Sequence, residues 1–140
     1  MEGMKIPYKM LSLDPFSQWL GIEILECEIG KCKLGLKIRP EMLNSMGKAH
    51  GGITYSLADT AFGFAVNTNG RFAVSIETSI NHIEALEAGD YITAEATLES
   101  LKNKIGFYIV EIKKENTLVA LFKGVAYRTG KEWEESINNE

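Results

Sequence analysis

The 140-residue chain has few cysteines, histidines and prolines (two, two and three respectively), and it has no long hydrophobic run. No apolar stretch approaches the roughly 18 residues that a membrane-spanning helix needs, so we expect no transmembrane segment. The first residues, MEGMKIPYKML, lack a long apolar core and a small-residue cleavage site, and so do not resemble a signal peptide. These absences predict a cytoplasmic protein without a membrane partner.

Basic charge is also scarce, with 15 Lys and Arg against 19 Asp and Glu and a formal net charge of −4. This balance argues against general binding to nucleic acids or anionic membranes, which requires a basic surface. Cys27 and Cys32 flank Gly30 at a spacing that matches neither a redox C-x-x-C pair nor a zinc site, so we predict two buried thiols. No cluster of ligand residues is present, and we therefore expect neither a metal nor a cofactor.

The periodicity of apolar residues predicts an α+β fold in one domain that spans residues 1–140. Asp14 and Pro15 predict a short helix over about 14–20, and Gly21 would end it. A long helix is predicted over about 52–67. Strands are predicted over 22–28, 31–38, 72–84, 91–100, 106–114 and 118–129. This order predicts a sheet of five to six strands wrapped round one central helix.

The central helix carries a single charged side chain, Asp59, and otherwise contains apolar or small residues. Such a helix is expected to be buried, and an ionised carboxylate in it is costly unless it is paired, hydrogen-bonded or used. On a helical wheel Asp59 shares its side with Tyr55, Phe62 and Val66. One sheet covers only part of the helix, so we expect a second subunit to cover the side with Asp59, most simply in a two-fold homodimer.

The sequence His50-Gly51-Gly52 precedes the helix, where free N–H groups attract developing negative charge. Gly52 and Asp59 are about 10 Å apart along the helix axis, so one carbonyl cannot contact both in the same subunit. Two antiparallel helices across a two-fold axis would instead place Gly52 of one subunit opposite Asp59 of the other. The residues alone also allow simpler roles, with Asp59 a structural acid and His50 a capping loop residue.

Two sequence strings together resemble the phenylacetate-degradation (PaaI-type) family of hotdog-fold thioesterases. These are NSMGKAHGG at residues 44–52 and SLADTAF at residues 56–62. The resemblance continues through Gly89-Asp90 and VALFKG at residues 119–124 as far as Arg128. It implies a hotdog fold, with one long helix wrapped by a curved antiparallel sheet, in a homodimer that often pairs again into a tetramer. The implied activity is hydrolysis of acyl-coenzyme A thioesters with aryl-acetyl or short- to medium-chain acyl groups, in which coenzyme A belongs to the substrate.

The resemblance also implies a role for each catalytic candidate. The Gly52 N–H polarises the thioester carbonyl, and Asp59 of the facing subunit supplies the carboxylate. His50 shapes the loop and assists near the thioester, Asn44 positions the water or the carboxylate, and Ser75 places a hydroxyl beside the acid.

Further residues are candidates for binding the substrate. Gly51 and Phe62 lie within the matching motifs, and Arg128, Lys123, Lys102 and Lys104 are candidates for contacts with the coenzyme A phosphates. In one departure from the family pattern, Asn81-His82 stands where apolar or aromatic residues are common, which alters the predicted acyl pocket.

Two other functions fit part of this pattern. Hotdog hydratases and dehydratases pair a histidine with an acid across the interface, as His50 and Asp59 could, but their motifs lack a His-Gly-Gly sequence leading directly into the helix. A non-catalytic acyl-coenzyme A binding protein would use the same cleft. An intact Asp59 argues against this function, because binding alone gains nothing from a buried acid.

Overall fold

A computed structural model describes residues 2–133, which form three α-helices, one 3₁₀ turn and six β-strands. The elements are α1 (Glu2–Ser12), α2 (Pro15–Leu20), β1 (Glu23–Glu28), β2 (Lys31–Lys37), the 3₁₀ turn (Pro40–Met42), α3 (Gly51–Asn67), β3 (Arg71–His82), β4 (Tyr91–Lys102), β5 (Ile105–Lys114) and β6 (Thr117–Glu132). The predicted α+β fold with one main helix on an antiparallel sheet is confirmed. Helix α1 has no counterpart in the sequence prediction, because Pro7 lies inside it.

The sheet has the strand order β1-β2-β4-β5-β6-β3, and every neighbouring pair is antiparallel. Hairpins connect β1 to β2, β4 to β5 and β5 to β6. Helix α3 follows β2 and leads to β3, which pairs with β6 at the far edge. Strand β3 therefore ends the sheet, and its outer edge has no neighbour within the described part of the chain.

Helix α3 packs on one face of the curved sheet through Phe62, whose ring lies 5.5 Å from that of Tyr108 and 5.8 Å from that of Phe122. Gly124 makes room for this ring, since a Cβ there would lie 2.7 Å from it. We expected a second subunit to cover the side of α3 that carries Asp59. This expectation was wrong for Phe62 and Val66, which the same chain already buries to 0% and 2% exposure. The sheet curves far enough round the helix to cover the positions that flank Asp59.

The prediction of two thiols was also wrong, because Cys27 and Cys32 form a disulfide. The turn at Ile29 and Gly30 makes the two cysteines direct partners across the β1–β2 hairpin, with their Cα atoms 4.2 Å apart. Both side chains face the core. A cross-strand pair depends on the register of the hairpin, which a motif search for redox or zinc spacings does not consider.

The C-terminal end of α3 is held by the buried side chain of Asn67. Its Nδ2 donates to the carbonyl of Gly63 at 2.7 Å, and its Oδ1 accepts from the N–H of Ala73 at 2.9 Å and from Nε1 of Trp133 at 2.8 Å. The Trp133 ring stacks on Phe72 at 4.0 Å. These contacts fix the end of the helix to the beginning of β3 and to the residue that follows β6.

Candidate active site

The sheet leaves one stripe of α3 uncovered, and the stripe contains only small or polar residues. Its members recur at helical spacing and are Gly52, Ser56, Asp59, Thr60 and Gly63. Gly52 is exposed and the others are half-buried. No atom from outside the helix lies within 4 Å of the position that a Cβ on Gly63 would take. The stripe is therefore open to a ligand or to another chain.

Asp59 is the only ionisable group on this stripe, and no side chain or backbone group of residues 2–133 forms a hydrogen bond or ion pair with its carboxylate. Burial raises the pKa of the Asp59 carboxyl above its ordinary value. By contrast, the hydroxyls of Ser56 and Thr60 both donate to carbonyls of the preceding turn, each at 2.7 Å. An unpaired and partly desolvated carboxylate is costly. Asp59 therefore has the properties of a group whose partner lies outside this subunit.

Two hydrogen bonds tie the Asp59 side of α3 to strand β3. The hydroxyl of Tyr55, four residues before Asp59, is bonded to the hydroxyl of Thr78. Asn67, two turns after Asp59, accepts from the N–H of Ala73. The segment of α3 that contains Asp59 is therefore held opposite the segment of β3 between Ala73 and Thr78.

Ser75 lies within that segment of β3. It is the partner of Ala126 in the register with β6, and Ala126 is buried against the helix side of the sheet. Cross-strand partners have their side chains on the same face, so the Ser75 hydroxyl is on the face toward α3. The register shifts between Ser75 and Glu77, which marks a bulge of the kind that often adjoins functional sites. The structure thus places Ser75 and Asp59 on facing segments.

The N-terminal turn of α3 is capped by His50. Its Nδ1 accepts from the N–H of Gly52 at 2.9 Å, and its carbonyl accepts from the N–H of Ile53 at 2.9 Å. A neutral imidazole that accepts at Nδ1 has its proton on Nε2. The N–H of Gly52 that is predicted to bind the carbonyl therefore donates to the histidine of the same motif in the structure.

A cleft of about 330 Å³ lies beside this turn, between the loop that precedes α3 and the end of β3. Its lining includes Asn44, Gly51, Thr54 and His82. The Oδ1 of Asn44 accepts from the N–H groups of residues 46 and 48, at 2.9 Å and 3.1 Å, and so shapes the loop. Neither Asp59 nor Ser75 lines this cleft. Within one chain, the turn predicted to bind the carbonyl and the Asp59 carboxylate therefore do not share this cleft, as the rise of the helix predicts.

His82 was not among the predicted site residues, although the sequence shows it as a departure from the family pattern. Strand alternation indicates which face a residue occupies, but it does not indicate which end of a strand reaches the N-terminus of a helix. Here β3 ends beside Gly51, so His82 becomes part of the cleft. The strand order supplies the information that the pattern lacked.

The basic candidates do not gather at the N-terminal turn. Arg128 is the cross-strand partner of Ala73, near the C-terminal end of α3, and its Nε is buried without a hydrogen-bond partner among the described residues. Lys123 is exposed, and Lys102 and Lys104 are exposed at the β4–β5 turn, where Lys104 Nζ lies 5.9 Å from the Tyr127 ring centroid.

Phe62 requires a correction as a substrate contact. It has no exposed surface, because it fills the core between α3 and the sheet. In addition, no group of three or more His, Cys, Asp or Glu that could hold a metal ion occurs within residues 2–133. No helix in that same range is long and apolar enough to cross a membrane.

The sequence profile of the thioesterase superfamily matches residues 46–121, a range that contains α3, most of the cleft lining and most of the sheet. The chain therefore belongs to the thioesterase superfamily, and its six-stranded sheet with one main helix is the hotdog fold. The family assignment makes the chain a thioester hydrolase.

Within this superfamily, the chain is similar to the acyl-coenzyme A thioesterase PaaI of Escherichia coli K12. The two are 35% identical over 124 residues, which is 88% of this chain and 89% of that protein. The solved structure of E. coli PaaI superposes on this chain with a TM-score of 0.91, and the aligned region covers 94% of this chain and 96% of the PaaI chain. The resemblance to PaaI-type thioesterases that the motifs predicted is thus confirmed.

Two further relatives broaden this comparison. A protein of Archaeoglobus fulgidus named "Putative esterase" is 38% identical over 125 residues, covering 89% of this chain and 81% of its own length. A hypothetical thioesterase of Streptococcus pneumoniae TIGR4, whose structure contains coenzyme A, is 26% identical with a TM-score of 0.75. It covers 79% of this chain and 90% of its own.

Proposed function

We propose that this chain hydrolyses acyl-coenzyme A thioesters at two equivalent sites of a homodimer. Each site combines the N-terminal turn of α3 in one subunit with Asp59 of the other. The observation that carries this proposal is the Asp59 carboxylate, which lies on an open stripe of α3 and lacks a partner among residues 2–133. The relative PaaI is named an acyl-coenzyme A thioesterase, which supports the substrate class.

The thioester carbonyl would bind at the N-terminal turn and replace His50 Nδ1 as the acceptor of the Gly52 N–H. Releasing such a cap costs about 1 kcal/mol. A hydrogen bond to the developing oxyanion contributes about 3–4 kcal/mol to the transition state, so the exchange is favourable during the reaction. The positive end of the α3 dipole adds to this stabilisation. Gly51 has no side chain and so makes room for the His82 ring beside this turn.

Asp59 of the facing subunit would then activate the nucleophile. As a general base it takes a proton from water while the water oxygen attacks the carbonyl carbon, and Ser75 holds the water. Alternatively the carboxylate attacks directly and forms a mixed anhydride, which water then hydrolyses. In both routes the C–S bond breaks, the carboxylic acid is released, and the thiolate of coenzyme A gains a proton. The raised pKa of Asp59 makes it a stronger base than an exposed aspartate.

Strand β3 is the edge at which we propose that the subunits meet. It is 12 residues long, and its side chains include the exposed Val74 (53%) and Ile76 (58%). An uncovered edge of this length is a ready template for pairing, and pairing two copies would give one continuous sheet across the dimer. A second association through the outer sheet face, where Phe107 is 46% exposed, would give a tetramer.

Coenzyme A phosphates need cationic contacts, and Arg128 is the candidate best supported by its surroundings because its buried Nε lacks a partner among the described residues. Lys123 is the alternative on the outer face. The pneumococcal relative was solved with coenzyme A, which supports a coenzyme A site on this fold. We also propose a cytoplasmic location, because coenzyme A thioesters are formed and consumed there.

Subunit complementation tests the shared site directly. Asp59→Asn removes the carboxylate. Gly52→Pro removes an N–H of the first helical turn, which donates to His50 and not to a helix carbonyl. A Cβ there would lie 3.0 Å from His50 Nδ1, so the substitution also displaces the histidine cap. Each variant alone should release little thiol from phenylacetyl-, butyryl- or octanoyl-coenzyme A. A refolded equal mixture should recover about a quarter of parental activity, since half of the dimers are mixed and each contains one intact site.

The controls separate this proposal from its alternatives. Parent protein should release free thiol, whereas a hydratase would change enoyl absorbance without releasing thiol, and a binding protein would do neither. Size-exclusion chromatography should show a dimer or tetramer for the parent and both variants. If the mixture recovers no activity although mixed dimers form, the shared-site arrangement is wrong.

A further inference from the structure

His82 is the last residue of β3 and lies at the N-terminal turn of α3. It is the cross-strand partner of Ala120 on β6, and Ala120 is completely buried on the face of the sheet toward the helix. Because cross-strand partners share a face, the His82 imidazole is directed toward α3 while its neighbour Asn81 is directed away from it. His82 nevertheless remains exposed, since the cleft opens beside it.

The imidazole of His82 is in close contact with the first residue of α3. A Cβ on Gly51 would lie 3.2 Å from Nε2 and 3.3 Å from Cε1 of the ring, so the glycine makes room for it. Neither ring nitrogen has a hydrogen bond or ion pair with the residues that the structure describes. His82 therefore presents free hydrogen-bonding nitrogens at the turn where the thioester carbonyl is proposed to bind.

We infer that His82 is a specificity-determining residue which binds an oxygen on the acyl group close to the thioester carbonyl. The preferred acyl groups would then carry a hydroxyl or keto oxygen at C2 or C3. This inference rests on the proposed function, because it uses the N-terminal turn of α3 as the carbonyl site.

The position of His82 favours the acyl group over the coenzyme A arm. The ring adjoins Gly51, one residue from the N–H that receives the carbonyl, so the atom it reaches lies only a few bonds from that carbonyl. A 3-hydroxyl meets this condition, whereas the first amide of the pantetheine arm lies farther away, beyond the sulfur and two methylene groups. The cleft lining combines apolar side chains, such as Met46 and Ile83, with polar groups that include Thr54, so an acyl chain that carries one oxygen substituent fits both parts of the lining.

The test compares butyryl-coenzyme A with 3-hydroxybutyryl-coenzyme A in the parent, His82→Phe and His82→Gln. Phenylalanine keeps a ring but removes the nitrogens, and glutamine keeps a hydrogen-bonding group at similar reach. An exposed hydrogen bond contributes about 1 kcal/mol. We therefore expect the kcat/KM ratio of hydroxylated to plain substrate to fall about fivefold in His82→Phe and to remain largely intact in His82→Gln.

Asn81→Ala is the matched control, because it changes the adjacent residue on the opposite face of the same strand, and it should leave the ratio at the parental value. A second arm compares N-acetylcysteamine thioesters with S-ethyl thioesters of the same acyl group. If the effect of His82→Phe follows the amide of the thiol arm and not the acyl hydroxyl, the inference is overturned. Circular dichroism and size-exclusion chromatography verify that all variants fold and associate like the parent.

Two further outcomes are distinguishable. If the parent hydrolyses both substrates and His82→Phe has an unchanged ratio, His82 does not determine specificity although the proposed function stands. If the parent releases thiol from no acyl-coenzyme A, the proposed function fails and this inference fails with it.

Discussion

The two ends of α3 treat their polar groups in opposite ways. At the C-terminal end, Asn67 is buried and its amide is satisfied by backbone and side-chain partners from three parts of the chain. From its middle to its first turn the helix lies beside groups that have no partner within residues 2–133. These are the half-buried Asp59 carboxylate and, next to Gly51, the exposed imidazole of His82 on β3. Buried polar groups are normally hydrogen-bonded, and the Asp59 carboxylate departs from this rule. The C-terminal end is therefore an anchor, and the rest of the open stripe has the character of a binding site.

The difference shows how one helix can serve both stability and chemistry. The polar groups at the anchor form their hydrogen bonds when the chain folds. Their loss should therefore lower the free energy of unfolding without changing the catalytic activity. The polar groups on the open stripe find partners only when a ligand or a second subunit binds. Their loss should lower activity and leave folding unchanged or slightly improved, a pattern expected where an active site is held at some cost to stability. Substitutions at the two ends can therefore break or sharpen the comparison.

Asp59→Asn should have the largest effect on activity, and it should lower activity without lowering stability. We expect turnover to fall by at least about 10², in line with the loss of a general base. The amide retains the shape of the side chain, so the dimer should persist. Thiol release from acyl-coenzyme A substrates measures the activity, and near-parental turnover would exclude a catalytic role for Asp59.

The same variant has a defined dependence of stability on pH. Burial raises the pKa of Asp59 in the folded state, so the folded protein binds its proton more tightly than the unfolded chain does. The cost of the ionised carboxylate is absent below the unfolded pKa and grows as the pH rises through the raised pKa. Asp59→Asn should therefore unfold at a higher denaturant concentration than the parent at neutral pH, with the difference vanishing in acid.

Asn67→Ala tests the anchor and should have the largest effect on stability. The N–H of Ala73 and Nε1 of Trp133 would lose their acceptor, at a combined cost of about 2–4 kcal/mol. Denaturant unfolding measures this loss, and turnover per folded molecule at low temperature should remain near the parental value. Asn69→Ala, at an exposed position, is the control and should change stability by less than about 0.5 kcal/mol. Equal effects of the two substitutions would remove the distinction between the ends.

Two substitutions at His50 separate its capping from its chemistry. Asparagine is an effective N-cap, so His50→Asn should retain stability while it loses the imidazole, and turnover should fall by about 10², the lower end of what a positioned acid or base contributes. His50→Ala should lose activity similarly and also about 1 kcal/mol of stability. Parallel unfolding and thiol-release measurements resolve the two contributions. If His50→Asn is fully active, the imidazole has only a structural role.

Gly63→Ala, one turn after Asp59 on the open stripe, should raise stability slightly. Alanine is favoured over glycine in a helix by about 1 kcal/mol, and a Cβ there meets no atom from outside the helix within 4 Å. The variant should therefore be slightly more stable as an isolated subunit. If substrate or the partner helix occupies this space, as proposed, kcat/KM or dimer affinity should fall. A gain in stability with unchanged activity and association would show that the space is empty in the assembly.

Much of the fold could be predicted because its signals are local. The Asp14 cap, the left-handed Gly21 and the change of period after Asn67 all act within a few residues. In the structure, Asp14 accepts from the N–H of Ser17 at 3.0 Å, and Gly21 has a φ of 77°. Asp59 also stood out locally, as one carboxylate in a helix without other charges.

The features that sequence reasoning missed depend on non-local geometry. The disulfide requires Cys27 and Cys32 to be in register across a hairpin, and the burial of Phe62 depends on how far the sheet curves. His82 belongs to the cleft only because β3 ends beside the first turn of α3, a consequence of the strand order. The alternation of apolar and polar residues along a strand predicts neither the hairpin register, nor the curvature of the sheet, nor the strand order.

The Asn67 anchor has a consequence for motion within the helix. Asn67 fixes α3 at its C-terminal end and the Tyr55–Thr78 hydrogen bond holds its second turn, whereas the first turn is held by the His50 cap. Thermal fluctuations should therefore be smallest near Asn67 and largest at Gly51 and Gly52. Amide hydrogen exchange should be graded along α3, slow in the last turns and fastest in the first. Substrate binding at the first turn would restrain this end of the helix as well. Protection gained there on adding a non-hydrolysable acyl-coenzyme A analogue that keeps the carbonyl would report occupancy without any turnover.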